Sequence, residues 1–182
     1  MKKIKYLLVS IIMLSTVSTY AVEKGDFHLN VTTNLGHHSF IGNSTGVKGY
    51  GFVPGVTINM DYLVSDYFSF GGWFYFNGKK IADTYKYRNF GLGVRGNFHL
   101  YQLISEKGNT SLDSDAFDLY IPLAIGGGFI LKDKNAGTKF RGGAVVGAGI
   151  GATYYFVEHI GVNLEAGYME SSYAKFGLSF KF

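Results

Sequence analysis

The chain has 182 residues, room for one domain. Its 17 Lys/Arg against 13 Asp/Glu give a net charge of +4, but Lys2, Lys3 and Lys5 precede the first acid, Glu23, and without them the surplus falls to one. Basicity confined to a leader excludes a nucleic-acid-binding surface, while zero cysteines, two prolines, 26 glycines, 16 phenylalanines and 14 tyrosines exclude a disulfide-stapled fold, a thiolate zinc site and a disordered chain.

Residues 1–5 are basic, 6–14 apolar and 15–21 polar, ending Thr19-Tyr20-Ala21. This is the order of a secretory signal cleaved after a small residue, here Ala21. An uncleaved anchor helix is the alternative, but the apolar run fades by Val17, short of the roughly 20 residues a membrane-spanning helix needs. No cysteine follows, which excludes a lipoprotein. The expected organisation is a signal peptide over 1–21 and one domain over 22–182.

From Val22 onward the apolar period is two rather than 3.6, the signature of strands. Phe27, Leu29, Val31 and Leu35 alternate with His28, Asn30, Thr32 and Asn34; Val56, Ile58, Met60 and Tyr62 alternate with Thr57, Asn59 and Asp61. Phe68, Phe70, Phe74 and Phe76 oppose Ser69, Trp73 and Tyr75, and Phe90, Leu92, Val94, Phe98 and Leu100 oppose Gly91, Gly93, Arg95, Asn97 and His99. Leu119, Ile121, Leu123 and Ile125 oppose Tyr120, Ala124 and Gly126, and Val146, Ala148, Ile150 and Tyr154 oppose Gly147, Gly149, Gly151 and Thr153. Val162, Leu164, Ala166 and Tyr168 oppose Gly161, Asn163, Glu165 and Gly167; finally Phe176, Leu178, Phe180 and Phe182 oppose Lys175, Gly177, Ser179 and Lys181. The count is eight strands, an even number.

In a soluble barrel the greasy face is the core and the other face is rich in Lys and Glu. Here the second face is mostly Gly, Ser, Thr and Asn, which suits a crowded lumen, and the apolar face suits a lipid-facing band. The expected fold is all-β: an eight-stranded antiparallel transmembrane up-and-down β-barrel. Asp61, Arg95, Glu165 and Lys175 then point into the lumen, where buried charges must pair. Glu165 is expected to pair with Lys175 on the adjacent strand, with Arg95 in reach across the lumen. With the termini on the inner side, the inner turns fall at 63–66, 101–117 and 157–159, the middle one carrying a polar stretch at 105–115. Outer loops fall at 36–49, 77–86, 132–139 and 169–172. Pro122 cannot donate to a ladder, so the fifth strand is expected to start near it or to bulge there.

The final strand, apolar at Phe176, Leu178 and Phe180 and ending on the aromatic Phe182, resembles the C-terminal assembly signal of bacterial outer-membrane proteins. The glycine-rich run 147–155, the tight turn at 157–159 and the Glu165-bearing strand after it are similar to the late strands of small OmpA/OmpX-like barrels, and Val64-Ser65-Asp66-Tyr67 resembles their short periplasmic turn. The resemblance covers 22–182 and implies residence in the outer membrane of a diderm bacterium, with the barrel-insertion machinery reading the last strand. The peptidoglycan-binding domain of OmpA is not expected here.

Motifs for chemistry are sparse. Gly147, Gly149 and Gly151 lack the following helix of a dinucleotide loop. His37 and His38 have no further Asp, Glu or His in their loop, so no metal or other cofactor is expected. Small lipid-A-modifying barrels resemble this architecture, and His37, Ser39, Asp83, Ser171 and Ser172 fall on the outer side, but no Asp or Glu lies between Asp26 and Asp61 to orient a base. A non-enzymatic role in envelope integrity or surface contact is therefore expected, ahead of a narrow porin-like channel, a lipid-A-modifying enzyme or a soluble carrier. Expected partners are outer-membrane lipids, with no nucleic acid, and the barrel is expected to be a monomer. Lys79, Lys80, Lys86, Lys132, Lys134 and Lys139 are candidate contacts to lipopolysaccharide, solvated loop lysines being the plainer reading.

Overall fold

The computed structural model describes residues 22–35, 55–81, 85–101, 103–104, 116–132, 141–170 and 172–182. Among them eight strands run in order: β1 (Phe27–Leu35), β2 (Gly55–Ser65), β3 (Phe68–Ile81), β4 (Tyr85–His99), β5 (Phe117–Lys132), β6 (Arg141–Val157), β7 (Ile160–Tyr168) and β8 (Ala174–Lys181). Each pairs antiparallel with its neighbours in sequence, and β8 returns to β1 to close the barrel. Closure is what lipid demands, because an unpaired backbone N–H or C=O in hydrocarbon costs several kcal/mol. The seam pairs Leu29 with Phe180 and Val31 with Leu178, and Phe27 and Phe182 exchange N–H···O bonds of 3.0 Å each way.

Alternation decides what faces where. Val56, Met60 and Tyr62 of β2, Phe70 and Phe74 of β3, Leu92 of β4, Leu123 and Ile125 of β5 and Ile150 of β6 are exposed on the outside. His28, Asn30, Asp61, Arg95, Glu165 and Lys175 are buried inside. The polarity is the reverse of a water-soluble barrel. A one-residue slip would turn Arg95 to the outside, where an arginine at the bilayer midplane costs about 2–4 kcal/mol.

The wall is uneven in height. β3 to β6 are 14–17 residues long, whereas β1, β2, β7 and β8 are 8–11. A tilted strand of about 9–11 residues spans a bilayer, so the four tall strands continue past the apolar band. Their pairing runs on to Ile81↔Tyr85 and Tyr87↔Lys132, above the last β2–β3 pair at Gly55↔Asn77. This corrects the placement of Lys79, Lys80, Lys86 and Lys132 in loops: all four lie in strands. Backbone pairing needs no apolar side chain, so a reading that follows apolar alternation stops where lipid stops. Pro122 also departs from expectation. β5 begins five residues before it, and because Tyr120↔Gly151 and Leu123↔Ala148 keep one register there is no bulge; only the β6 pairs of Ile121 and Pro122 drop out.

At the end carrying both termini the connections at 66–67 and 158–159 are short, while 100–116 is longer, with residues 100, 101, 103 and 104 helical. A segment before β1 straps across this end. Gly25 N–H donates to Leu63 O at 2.9 Å, Leu63 N–H to Asp26 O at 2.9 Å and Lys24 N–H to Asp66 Oδ1 at 2.9 Å. The reversal needs Gly25, whose φ is +101°. It seats Val22 on Leu63 and Tyr155 as an apolar stopper. Burial alone would raise the Asp26 carboxyl, but the facing His28 ring 3.9 Å away, the Glu23 N–H bond at 3.0 Å and the charge of Lys181 hold it below its ordinary range. The predicted signal at 1–21, His37, His38, Ser39, Asp83, Lys134, Lys139, Ser171 and the 105–115 stretch lie outside the described residues.

Candidate functional site

The lumen is where the chain concentrates its chemistry. Glu165 of β7 and Lys175 of β8 are direct register partners, with Lys175 Nζ 2.6 Å from Glu165 Oε2. Arg95 reaches in from β4: its Nη2 donates to Glu165 Oε1 at 2.8 Å, and its Nε stands 3.5 Å from Asp61 Oδ1. The four residues singled out in the sequence thus meet at one place, each nearly or fully sealed from solvent.

A fifth member was not legible. Glu170, expected on an outer loop, turns inward with its Oε2 2.6 Å from Lys175 Nζ and its Oε1 3.7 Å from Arg95 Nη1. The cause is the β7–β8 connection. Gly167 adopts φ +139°, open to glycine alone, and any Cβ there would press on Gly149 of β6. Gly167 N–H then donates to Tyr173 O at 2.9 Å and Met169 N–H to Ser172 O at 3.0 Å, folding the turn over the mouth so that Met169, Glu170 and Ser172 are all buried. Parity alone puts Met169 on the inner face, in step with Gly161, Asn163 and Glu165; nothing periodic signals Glu170. The burial of Ser172 also removes it from the outer surface where a lipid-modifying site would need it.

Hydrogen bonds extend the cluster toward the termini. Tyr120 Oη donates to Glu165 Oε1 at 2.9 Å and accepts from Asn163 Nδ2 at 2.6 Å. Arg95 Nη2 donates to Asn97 Oδ1 at 2.7 Å, and Asn97 Nδ2 donates to Ser69 Oγ at 2.7 Å. His99 Nδ1 lies 3.0 Å from both Asp118 oxygens and its Nε2 3.1 Å from Ser69 Oγ. With Asp118 ionised, Nδ1 is the donor and Nε2 accepts the serine hydroxyl. The order is that of a hydrolytic triad, but Ser69 is only 3% exposed and already accepts from Asn97. Its role is to knot the ends of β3, β4 and β5.

Toward the loop end the lumen is paved with rings. Trp73 and Tyr75 stack at 5.7 Å with 5° between planes, against Ala124 and Val145. Both polar tips are satisfied, Trp73 Nε1 by Val94 O at 3.1 Å and Tyr75 Oη by Asn89 Oδ1 at 3.3 Å. Glycines make the room: a Cβ on Gly93 or Gly126 would run into Trp73, on Gly91 into Tyr75, and on Gly151 into Tyr120. The small inner face seen in the sequence is therefore a bed for aromatic rings, and the space it leaves is occupied.

No protein-family model matches the chain, and no curated protein matches it in sequence. Solved structures match it in shape. Ail, the attachment invasion locus protein of Yersinia pestis, superposes with a TM-score of 0.56 at 12% identity, over 87% of this chain and 99% of that one. The N-terminal β-barrel domain of Pseudomonas aeruginosa OprF gives 0.56 at 12%, over 87% and 98%. Neisserial surface protein A gives 0.56 at 11%, over 87% and 100%. The fold is that of the small OmpA/OmpX-like outer-membrane barrels. Ail has also been solved in complex with the heparin analogue sucrose octasulfate, and that form matches with a TM-score of 0.52 at 12% identity, over 87% of this chain and 99% of that one. Identities at this level carry the architecture and nothing finer. The reversed polarity, with rings and charges inside and an apolar band outside, is this chain's own independent sign of a membrane barrel.

Proposed function

We propose that the chain is exported on its first 21 residues and works as a non-enzymatic, monomeric outer-membrane protein, a rigid anchor whose contacts are made at the loop end. The observation that carries this reading is a lumen crossed by buried side chains at three levels: Val22, Leu63 and Tyr155 at the strap, the charge cluster in the middle, and Trp73, Tyr75 and Met169 toward the loops. Side chains at all three levels obstruct the path a porin would conduct through.

Register also supports an anionic partner. Lys80 stands opposite Lys86 in the β3–β4 hairpin, Lys79 stands opposite Tyr87, and Tyr87 in turn pairs with Lys132. Like charges directly opposite on a sheet repel, and a multivalent anion relieves that repulsion. Lipopolysaccharide carries such phosphates, and a structural neighbour of this barrel has been solved with a polysulfated saccharide. Lys134 and Lys139, outside the described residues, are included with them in the test.

Purified protein in detergent is expected to bind lipopolysaccharide with an affinity that falls steeply with salt. Changing Lys79, Lys80, Lys86, Lys132, Lys134 and Lys139 to Gln together is expected to weaken binding at least tenfold at low salt without altering heat-modifiable gel migration. Unchanged affinity in the sixfold variant would overturn the surface-contact reading. Release of the protein from cells without detergent would overturn the membrane reading.

A further inference from the structure

We propose that the β1–β2 side of the lumen is a binding site for one monovalent cation, held by oxygens of Asp61, Asn59 and Asn30. This concerns the lumen alone and stands or falls independently of the lysine-bearing rim.

Two separate observations converge there. One is a group of buried polar atoms without hydrogen-bond partners among the described residues: Asn30 Oδ1, both ends of the Asn59 amide, Asp61 Oδ1 and His28 Nε2. They are neighbours by register, Asn30 opposite Asn59 and His28 opposite Asp61, all on the inner face of two adjacent strands. Natural interiors leave few polar atoms unpaired, because each keeps the full penalty of its lost hydration. Five on one small patch point to an occupant.

The second observation is charge. In the central cluster three carboxylates, Asp61, Glu165 and Glu170, face two cations, Arg95 and Lys175. Among these ion pairs Glu165 and Glu170 take the close contacts, at 2.6–2.8 Å, while Asp61 faces Arg95 Nε at the longer 3.5 Å. The uncompensated negative charge therefore rests on the carboxylate beside the unpaired amides. A buried charge held by one long contact is only partly offset, which is unfavourable. One carboxylate and two amide oxygens are hard donors, the set that takes alkali and alkaline-earth ions rather than soft metals. Because a single charge is unbalanced, a monovalent ion neutralises the cluster and a divalent one overshoots it. Toward the strapped end, Asp26 sits 3.9 Å from His28 Nε2 at the edge of this patch.

The test is urea unfolding of the folded full-length barrel in detergent at pH 8, followed by Trp73 fluorescence, in sodium, potassium or choline chloride at one ionic strength. With the ion at ten times its dissociation constant, the unfolding equilibrium constant is expected to be about tenfold smaller in an alkali salt than in choline. That difference is expected to vanish in Asp61→Asn and in Asn59→Leu. Equal stability in all three salts overturns the site. So does stability that ignores cation identity but rises on acidification, which would place the compensating charge on a proton at His28 or Asp61, with Asp26, Lys181, Arg95 and Glu165 as the surrounding charges. Should either variant fail to fold, crystals of the unaltered protein grown in rubidium chloride decide. An anomalous peak between Asp61 and Asn59 supports the site, and ordinary water density there refutes it.

Discussion

Replacing Arg95 with methionine is expected to cost the barrel about 3–5 kcal/mol, the range for removing one partner of a buried charge pair. Arg95 touches Glu165 at 2.8 Å and lies within 3.7 Å of both Asp61 and Glu170. Its loss leaves Lys175 to offset three sealed carboxylates. Desolvation makes this asymmetric: deleting the charge on one side is costly, while deleting a matched pair is much less so. Arg95→Met combined with Glu165→Gln is therefore expected to recover a large part of the loss, and Glu165→Gln with Lys175→Met to behave likewise. Melting of heat-modifiable gel mobility in the single and double variants measures it. Strictly additive losses would show that these side chains do not hold one another.

The second large effect comes from two adjacent glycines. Gly126→Val is expected to destabilise the barrel by about 3 kcal/mol, the upper end of ordinary overpacking, or to prevent folding. A Cβ there would stand 2.5 Å from Trp73 Cζ2 and 2.6 Å from the Gly93 backbone. Gly127→Val, one residue along, is expected to change stability by no more than about 0.5 kcal/mol. Its Cβ would point outward and meet nothing nearer than the Phe129 ring at 3.7 Å. Urea-unfolding midpoints of the two variants in the same detergent check the contrast. Equal penalties would mean that β5 does not alternate as described.

Much of this is legible in the sequence. Lipid and lumen impose opposite chemistry on alternate residues, so parity alone separates Phe74 from Trp73, Leu92 from Arg95 and Leu164 from Glu165. The same alternation fixes the parity of the closing pair, since Phe176, Leu178 and Phe180 must face outward as Leu29 and Val31 do, but not the particular register. The signal fades where lipid ends, so alternation alone places Lys79, Lys80, Lys86 and Lys132 in loops although β3, β4 and β5 continue through them. Cross-strand relations were also beyond reach. That Gly93 and Gly126 both bed Trp73, or that Gly151 beds Tyr120, depends on how far neighbouring strands are staggered. Glu170 was hidden for a different reason. Its inward turn rests on one positive-φ glycine and two short hydrogen bonds at a connection, a local device with no period to betray it.

Oil outside the cylinder and polar side chains within it can be measured directly. The protein has no cysteine, so single cysteines at Phe74, Leu92 and Ile150 can carry nitroxide labels for collision measurements in bilayers. All three are predicted to collide readily with dissolved oxygen and hardly at all with a water-soluble nickel chelate. Ready collision with nickel at these three sites would contradict the inside-out assignment.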